Sequence, residues 1–263
     1  MSGAGDAAPA PDVLHAFGAG ESAPERLTGG RGLTWRAGAI VLRPHGEPIE
    51  AAWRSDLLAT LEHTAAFRTP RPVATRDGGW HAGGWEAWEW LPATADETRV
   101  AEVIHAGDAF HRAIADLARP AFLDAADDAW SRADRMAWDE APLPRDPSLD
   151  RLAAAFRPVT SPSQLVHGDL LGNVLFAPGQ PPAVIDWPPY WRPVGLGAAV
   201  AAVDAVCWHG LPVDRLSALG DGVAEWEQLL VRALAFRIAT LVLLDAWDAD
   251  GADRHRPVID ALV

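Results

Sequence analysis

One stretch of this sequence brings a histidine, an acid and an amide close together in the chain. Residues 167 to 176 read His-Gly-Asp-Leu-Leu-Gly-Asn-Val-Leu-Phe, which sets Asp169 and Asn173 four residues apart. A second acid, Asp186, lies in an Ile-Asp-Trp sequence shortly afterwards. If the intervening chain forms a hairpin, the three side chains meet at one end of a small sheet. Carboxylate and amide oxygens grouped in this way are ligands for hard cations.

Magnesium is the cation that suits these residue types best. It binds few protein oxygens and completes its shell with phosphate oxygens and water, so Asn173 and Asp186 leave room for a nucleotide. Asp169 would then contact a hydroxyl group. Asn173 is the only asparagine in the chain, and it stands where a ligand that is neither acid nor base is needed. Considered one at a time, the residues also fit structural roles: a turn at Asp169, a turn residue at Asn173 and a strand-end cap at Asp186.

The elements that would position these residues follow from the apolar pattern. Two short apolar segments, 174–176 and 183–185, flank a turn rich in proline and glycine and predict a β-hairpin. The chain from Thr98 onward otherwise has apolar residues at helical spacing. The segment 119–150, rich in aspartate and proline, is interpreted as an exposed connection or a lid.

The first part of the chain combines strand and helix patterns. Segments 33–36 and 39–43 predict a hairpin, and the spacing of apolar residues from Glu47 predicts a helix of about four turns. Short apolar and tryptophan-rich segments at 73–76 and 85–91 predict further strands. The sequence therefore predicts an α+β fold, in which a small antiparallel sheet with one helix precedes a larger, mostly helical part.

The segment 167–173 resembles the catalytic loop of the aminoglycoside phosphotransferase and choline kinase-like family, of an actinobacterial type. That family has His-Gly-Asp-x-x-x-x-Asn where protein kinases have His-Arg-Asp-x-x-x-x-Asn. The Ile-Asp-Trp sequence is similar to the family's Ile-Asp-Phe or Ile-Asp-Trp. The resemblance implies a two-lobed protein-kinase-like fold. It also implies a catalytic role for Asp169 and magnesium binding by Asn173 and Asp186.

The same resemblance implies an ATP-dependent phosphotransferase, a small-molecule kinase that moves the γ-phosphoryl group to a hydroxyl of its acceptor. ATP and Mg²⁺ are the implied cofactors, and the acceptor is an amine-bearing or other hydroxylated small molecule. The predicted division is a flexible arm at 1–12, an N-lobe at 13–91 and a C-lobe at 92–263. The active site is expected between the two lobes.

In the N-lobe the resemblance is weaker. It implies that Arg43, in place of the family's strand lysine, pairs with nucleotide phosphates, and that Glu50 on the following helix holds it. Gly30, within Gly29-Gly30-Arg31-Gly32, would cover phosphate, and backbone around Trp90 would bind adenine. Each has an ordinary alternative: a solvated strand-end arginine, a surface glutamate, a plain turn and a core tryptophan. Glu47 and Glu62 are other possible partners of Arg43.

Two other functions are compatible with the same residues. The family's frequent Gly-Asp-Pro-x-x-Asp-Leu sequence is absent after Asp186, where Asp204 is the only acid of the corresponding segment. This departure argues against a typical antibiotic-resistance role. Arg43 and the shortened glycine loop are compatible with a catalytically silent nucleotide-binding regulatory protein. A metal hydrolase is the third hypothesis, and it is disfavoured because the histidine ligands usual at such sites are missing.

The amino-acid composition disfavours several classes of binding partner. The 263 residues have a formal charge of -14 and contain no lysine, which disfavours nucleic acid as a partner and excludes a Schiff-base lysine or a P-loop. The single Cys207 cannot form an internal disulfide. The longest apolar stretch contains Arg232 and Arg237, which argues against a membrane span. We therefore expect a cytoplasmic monomer that binds nucleotide and a small molecule, with neither nucleic acid nor membrane as a partner.

Overall fold

The computed structural model describes residues 7–28 and 32–263, and the chain divides into two compact units. The first unit comprises Met1–His63 and Arg68–Ala93, and the second comprises Thr64–Phe67 and Thr94–Val263. Antiparallel sheets occur in both units and most helices belong to the second, which confirms the predicted α+β class.

The first unit is built on an antiparallel sheet. Its strands are β1 (Glu25–Arg26), β2 (Trp35–Ala37), β3 (Ile40–Pro44), β4 (His81–Ala82) and β5 (Trp85–Glu89), hydrogen-bonded in the order β1-β2-β3-β5-β4. The register between β3 and β5 places Arg43 opposite Glu86. The predicted hairpin of β2 and β3 is confirmed. The predicted strand 73–76 does not form: the Val73 amide donates to Ala87 O of β5 at 2.8 Å, but the Thr75 and Arg76 amides donate to Gly79 O and Ala16 O instead.

Two helices accompany this sheet. Helix α1 (Pro11–Ala16) precedes it, and helix α2 (Pro48–Thr60) follows β3 with a proline in its first turn, a position where no amide donor is needed. Helix α2 was predicted from the apolar spacing. Helix α1 was not predicted, and it begins inside the segment 1–12 that was interpreted as a flexible arm. Ile49, in the first turn of α2, is 73% exposed.

Helix α1 is held by apolar packing. Val13 and Leu14 are buried in a core cluster with Phe17, Leu42 and Trp85. Six residues are too few for a helix to be stable by hydrogen bonding alone, so α1 depends on this burial.

The second unit combines short strands with longer helices. Its strands are β6 (Thr94–Ala95), β7 (Ser163–His167), β8 (Val174–Phe176), β9 (Ala183–Val184) and β10 (Pro189–Pro193). Its helices are α3 (Val100–Ala113), α4 (Phe122–Ala125), α5 (Ala129–Ala137), α6 (Pro147–Ala154), α7 (Leu196–His209), α8 (Leu216–Leu219), α9 (Trp226–Leu243) and α10 (Ala249–Leu262), with a 3-10 turn at Val213–Arg215. In the described chain, no helix is both long and apolar enough to cross a lipid bilayer.

The strands of the second unit pair in two groups. β6, β8 and β9 form one antiparallel sheet, and β8 and β9 are the hairpin predicted from the apolar segments. β7 and β10 form a separate antiparallel pair, in which His167 lies opposite Pro189. This second pair was not predicted from the sequence.

Helices α7 and α9 form the interior of the second unit, because both are buried along most of their length. Helix α9 packs against α5, α6 and α7. The segment 119–150 is therefore not simply an exposed connection or lid: Ala133 and Ala137 of α5 are fully buried, as is Leu149 at the start of α6. The many aspartates of this segment hid the small apolar face that packs against α9.

Replacing Leu14 with alanine tests the packing of α1. We expect Leu14→Ala to lower the free energy of unfolding by about 2–3 kcal/mol, because a buried leucine loses its contacts and leaves a cavity. Urea denaturation would measure the change, with the exposed His15→Ala as the control in the same helix. Equal stability of the two variants would contradict the packing described for α1.

Candidate functional site

Asp169 lies on the loop that joins β7 to β8 in the second unit. The loop runs close to β10, because a Cβ atom added at Gly168 would lie 2.5 Å from the ring of Tyr190. Such a contact is shorter than van der Waals packing allows, so the loop requires glycine at this position. Helix α7 also lies close to this part of the chain, because a Cβ atom added at its Gly197 would lie 2.6 Å from His167 O. Two close backbone approaches therefore fix the path of the chain just before Asp169.

Asp169 and Asn173 are in direct contact. The Asn173 side-chain amide donates to Asp169 O at 2.7 Å and to Asp169 Oδ2 at 3.0 Å. Both bonds use Nδ2, so the amide oxygen of Asn173 points away from Asp169. This orientation leaves Oδ1 as the atom that can contact a cation.

His167 connects this loop to the segment that contains Asp186. Its Nδ1 accepts from the Asp169 amide at 3.1 Å, and its Nε2 pairs with Ile185 O at 2.9 Å. The ring therefore has its proton on Nε2 and is neutral. Burial lowers the pKa of His167 below its usual value, although the bond to Ile185 O and the nearby Asp169 and Asp186 act in the opposite direction.

His111 on helix α3 supports His167 from behind. Its Nε2 accepts the backbone amide of His167 at 2.8 Å, and both histidines are fully buried. Burial lowers the pKa of His111 to about 3, with His167 and Arg112 adding to the effect. His111 is thus a neutral hydrogen-bond acceptor at ordinary pH.

Asp186 follows β9 in an unusual backbone conformation. Its φ of 48° lies in the left-handed region, which non-glycine residues rarely adopt and aspartate tolerates better than most. The preceding residue is bonded on both sides: the Ile185 amide donates to Asn173 O at 2.9 Å, and Ile185 O pairs with His167. These bonds hold the start of the Asp186 turn beside the loop of Asp169 and Asn173.

Trp187 and Tyr190, which follow Asp186, fix this turn by packing. Trp187 is 3% exposed, donates its indole N–H to Val166 O at 3.1 Å and packs edge-on against Phe110. Tyr190 is buried between Gly168 and Phe236. The contacts of Trp187 and Tyr190 therefore hold the turn in place by packing.

An arginine that the sequence analysis did not assign to the site contacts Asp169. Arg237 Nη2, from helix α9, donates to Asp169 Oδ1 at 2.5 Å. The same guanidinium bonds Asp204 of helix α7, through Nε to Oδ1 at 2.9 Å and through Nη2 to Oδ2. Two features of the sequence could have indicated this contact. Arg237 is a charged residue inside an apolar helix, and Asp204 is the only acid in a helix rich in alanine and valine.

In the first unit, Arg43 belongs to a network of charges. Arg43 Nε donates to Glu86 Oε1 at 2.5 Å across the β3–β5 pair. Arg54 of α2 donates to the same carboxylate at 3.3 Å and to Glu50 Oε1 at 2.8 Å. Glu86, a residue the sequence analysis missed, is buried. Burial raises the pKa of its carboxyl, but Arg43 and Arg54 outweigh that effect and hold the pKa below its usual value.

The other residues predicted for nucleotide binding in the first unit are Glu50, Trp90 and Gly30, and their roles stay predictions. Glu50 lies in the network through Arg54, and its role as the partner of Arg43 stays a prediction. The Trp90 amide donates to Ala39 O at 2.9 Å, and its ring packs under Arg36, so adenine binding at its backbone also stays a prediction. Gly30 lies outside the described residues.

A clustered metal cage does not occur in the described chain: no group of three or more histidine, cysteine, aspartate or glutamate side chains could hold an ion there. Magnesium can use a sparser set of protein ligands together with phosphate oxygens, and the assignment of Asn173 and Asp186 to such a set stays a prediction.

Comparison with protein families identifies one match. The family model described as "Phosphotransferase enzyme family" matches residues 15–190, about two thirds of the chain. No curated protein matches the sequence significantly.

Solved structures share the fold at low sequence identity. The AMP-bound spectinomycin phosphotransferase APH(9)-Ia is 13% identical, with 90% of this chain and 91% of that chain covered and a TM-score of 0.57. An aminoglycoside phosphotransferase from Alicyclobacillus acidocaldarius subsp. acidocaldarius DSM 446 is 16% identical, with coverages of 100% and 98% and a TM-score of 0.53. Amicoumacin kinase hAmiN, in complex with AMP-PNP, Ca²⁺ and Ami, is 11% identical, with coverages of 91% and 87% and a TM-score of 0.55.

These likenesses confirm the predicted kinase-like fold and the predicted resemblance. The actinobacterial branch stays a prediction.

The two buried histidines make stability depend on pH. In the unfolded chain His111 takes up a proton near pH 6.5, whereas in the folded protein it does so only near pH 3. Because the unfolded state binds more protons in between, stability is complete above pH 6.5 and falls as the pH is lowered. From this residue alone we expect a loss of about 2 kcal/mol at about pH 5.

His111→Gln isolates this contribution, because glutamine can still accept the His167 amide but does not titrate. Denaturant unfolding at pH 7 and pH 5 should show a smaller loss in the variant than in the parent. The same loss in both proteins would contradict a neutral His111.

Proposed function

Because the chain belongs to the phosphotransferase enzyme family, we propose that it transfers the γ-phosphoryl group of ATP to a hydroxyl of a small molecule. The observation that supports this most directly is the contact between Asp169 and Asn173, which gives one loop both an acid for a hydroxyl and an amide oxygen for a cation. The resemblance of 167–173 to a phosphotransferase catalytic loop assigns the same roles to these residues.

Magnesium fits the residues that are present. Asn173 would offer its amide oxygen, since its Nδ2 is committed to Asp169, and Asp186 would offer a carboxylate on the adjoining segment. Few protein ligands and a large share of phosphate oxygens are the usual environment of this ion. When bound, it would neutralise charge on the nucleotide phosphates.

Asp169 would act on the acceptor. Its carboxylate would accept a hydrogen bond from the acceptor hydroxyl, orient an oxygen lone pair toward the phosphorus atom and take the proton as transfer proceeds. Phosphoryl transfer of this kind depends mostly on positioning and electrostatics. The hydrogen bonds that fix Asp169 are therefore as relevant as its acidity.

Arg43 would contribute positive charge toward the nucleotide phosphates. Its Nε is bonded to Glu86, which anchors the side chain in the first unit. A guanidinium is suited to phosphate oxygens and can replace a lysine in this role, although the two are not equivalent.

The charge of the chain bears on the acceptor. A formal charge of -14 favours a neutral or amine-bearing hydroxylated compound over an anionic one. We propose that the protein acts as a monomer in the cytoplasm, where ATP is available and the buried Cys207 stays reduced.

Asp169→Asn tests the proposed reaction. The parent should consume ATP in the presence of magnesium and at least one compound from a panel of hydroxylated metabolites. The variant should be slower by about 10²- to 10⁴-fold, because it cannot accept the proton. Coupled ADP release would measure turnover, and calorimetry should show MgATP binding in both proteins. ATP binding without turnover on any acceptor would instead favour the silent nucleotide-binding protein.

Arg43 can be tested by binding alone. Arg43→Gln should weaken MgATP binding by about 10- to 100-fold, the value of charge-assisted hydrogen bonds to phosphate, while Arg43→Lys should lose less. Calorimetry would compare both with Arg76→Gln, which removes an exposed arginine of the same unit. Unchanged affinity in Arg43→Gln would exclude Arg43 from phosphate binding.

A further inference from the structure

The Asp169 carboxylate is held at both of its oxygens. Oδ1 accepts from Arg237 Nη2 at 2.5 Å, and Oδ2 accepts from Asn173 Nδ2 at 3.0 Å. The Asp169 side chain is 43% exposed, so packing does not fix its rotamer. The two hydrogen bonds therefore determine the plane in which the carboxylate lies.

Arg237 is itself fixed before it reaches Asp169. Its side chain is 14% exposed, and Asp204 holds it by a fork of Nε and Nη2 to the two carboxylate oxygens. Arg237 and Asp204 belong to α9 and α7, two buried helices that pack against each other. The guanidinium is thus a rigid part of the core that presents one donor to a half-exposed loop.

The pairing also sets the local charge. One guanidinium lies between two carboxylates, so the three side chains keep a net charge of -1 when all are ionised. Because Asp204 also pairs with Arg237, the positive charge of the guanidinium is shared between two carboxylates.

A structural role alone does not account for the contact. The Asp204–Arg237 pair is a complete two-point fork and would be satisfied in the core by itself. The additional bond joins the core to the one loop carboxylate that the proposed reaction uses.

We propose that Arg237 and Asp204 form a positioning pair that sets the orientation of Asp169 for attack by the acceptor hydroxyl. This inference rests on the proposed phosphotransfer function and adds two residues, from α7 and α9, to the groups that determine its rate. Neither residue is expected to contact the nucleotide or the acceptor.

Arg237→Lys is the first test. Lysine keeps the charge but has a single nitrogen, which cannot hold the fork to Asp204 and the bond to Asp169 in the same geometry. We expect kcat to fall by about 10- to 100-fold, as displaced catalytic groups do, with little change in the KM for ATP. Turnover would be measured with the acceptor found in the metabolite panel, or with water as the acceptor if the panel yields none.

Arg232→Lys is the matched control. Arg232 is another arginine of α9; it is buried, and it bonds Ala137 O and Asp139 rather than the catalytic loop. Its replacement should lower thermal stability in a similar way and leave kcat per folded molecule within about twofold, since surface and core changes away from the site do not misplace reacting groups.

A second variant guards against loss of folding. Arg237→Gln combined with Asp204→Asn removes both buried charges together, so that neither is left without a partner. This double variant should fold, bind MgATP and still have a reduced kcat. Selective ¹⁵N labelling of arginine would show directly whether the Arg237 side-chain signals shift in Asp169→Asn, as the contact requires.

The outcomes separate the two proposals. Turnover in the parent together with an undiminished kcat in Arg237→Lys and in the double variant would overturn the positioning pair alone. An increase in kcat would also overturn it, because Arg237 would then restrain Asp169 in an unproductive state. No turnover in the parent with any acceptor or with water would overturn the proposed function and this inference with it.

Discussion

The candidate site depends on one neutral histidine. His167 joins the Asp169 amide to Ile185 O, and only a ring with its proton on Nε2 and none on Nδ1 can make both contacts. Burial enforces that state, because a charged imidazole in this position would have no water around it. The neutral ring joins the loop of Asp169 to the segment that precedes Asp186. The apolar surroundings of His167 therefore determine how the polar side chains of the site are arranged.

Arginine shapes both units in the same way. Glu86 lies between Arg43 and Arg54 in the first unit, and Arg237 lies between two carboxylates in the second. In the first unit one carboxylate accepts from two guanidinium groups. In the second unit one guanidinium donates to two carboxylates, which requires several donors in one plane. A chain without lysine has only this kind of long basic side chain, and its buried charges are accordingly organised as forks.

Local signals made part of this structure predictable. The β8–β9 hairpin and helix α2 follow from short-range apolar spacing and from Pro48 in a first turn, and the Asp169–Asn173 pair lies within one loop. Helix α1 was not predictable in this way, because its six residues are stable only through tertiary packing.

Partners distant in sequence were likewise out of reach. Glu86 is 43 residues from Arg43, and Arg237 is 68 residues from Asp169, and no periodicity within one element encodes such pairings. The acidic segment that contains α5 was interpreted as exposed because its composition is typical of solvent-exposed chain. Two of its small residues, Ala133 and Ala137, are instead fully buried. Spacing identifies residues that can do chemistry, and packing decides which others hold them.

The ring of Tyr190 lies directly against Gly168, and this is the only tyrosine in the chain. A tyrosine-specific isotope label would therefore give a single set of aromatic resonances, located at the edge of the loop that contains Asp169. The molecule thus has a built-in spectroscopic reporter, whose chemical shift and ring-flip rate would follow movements of that loop without any engineered probe.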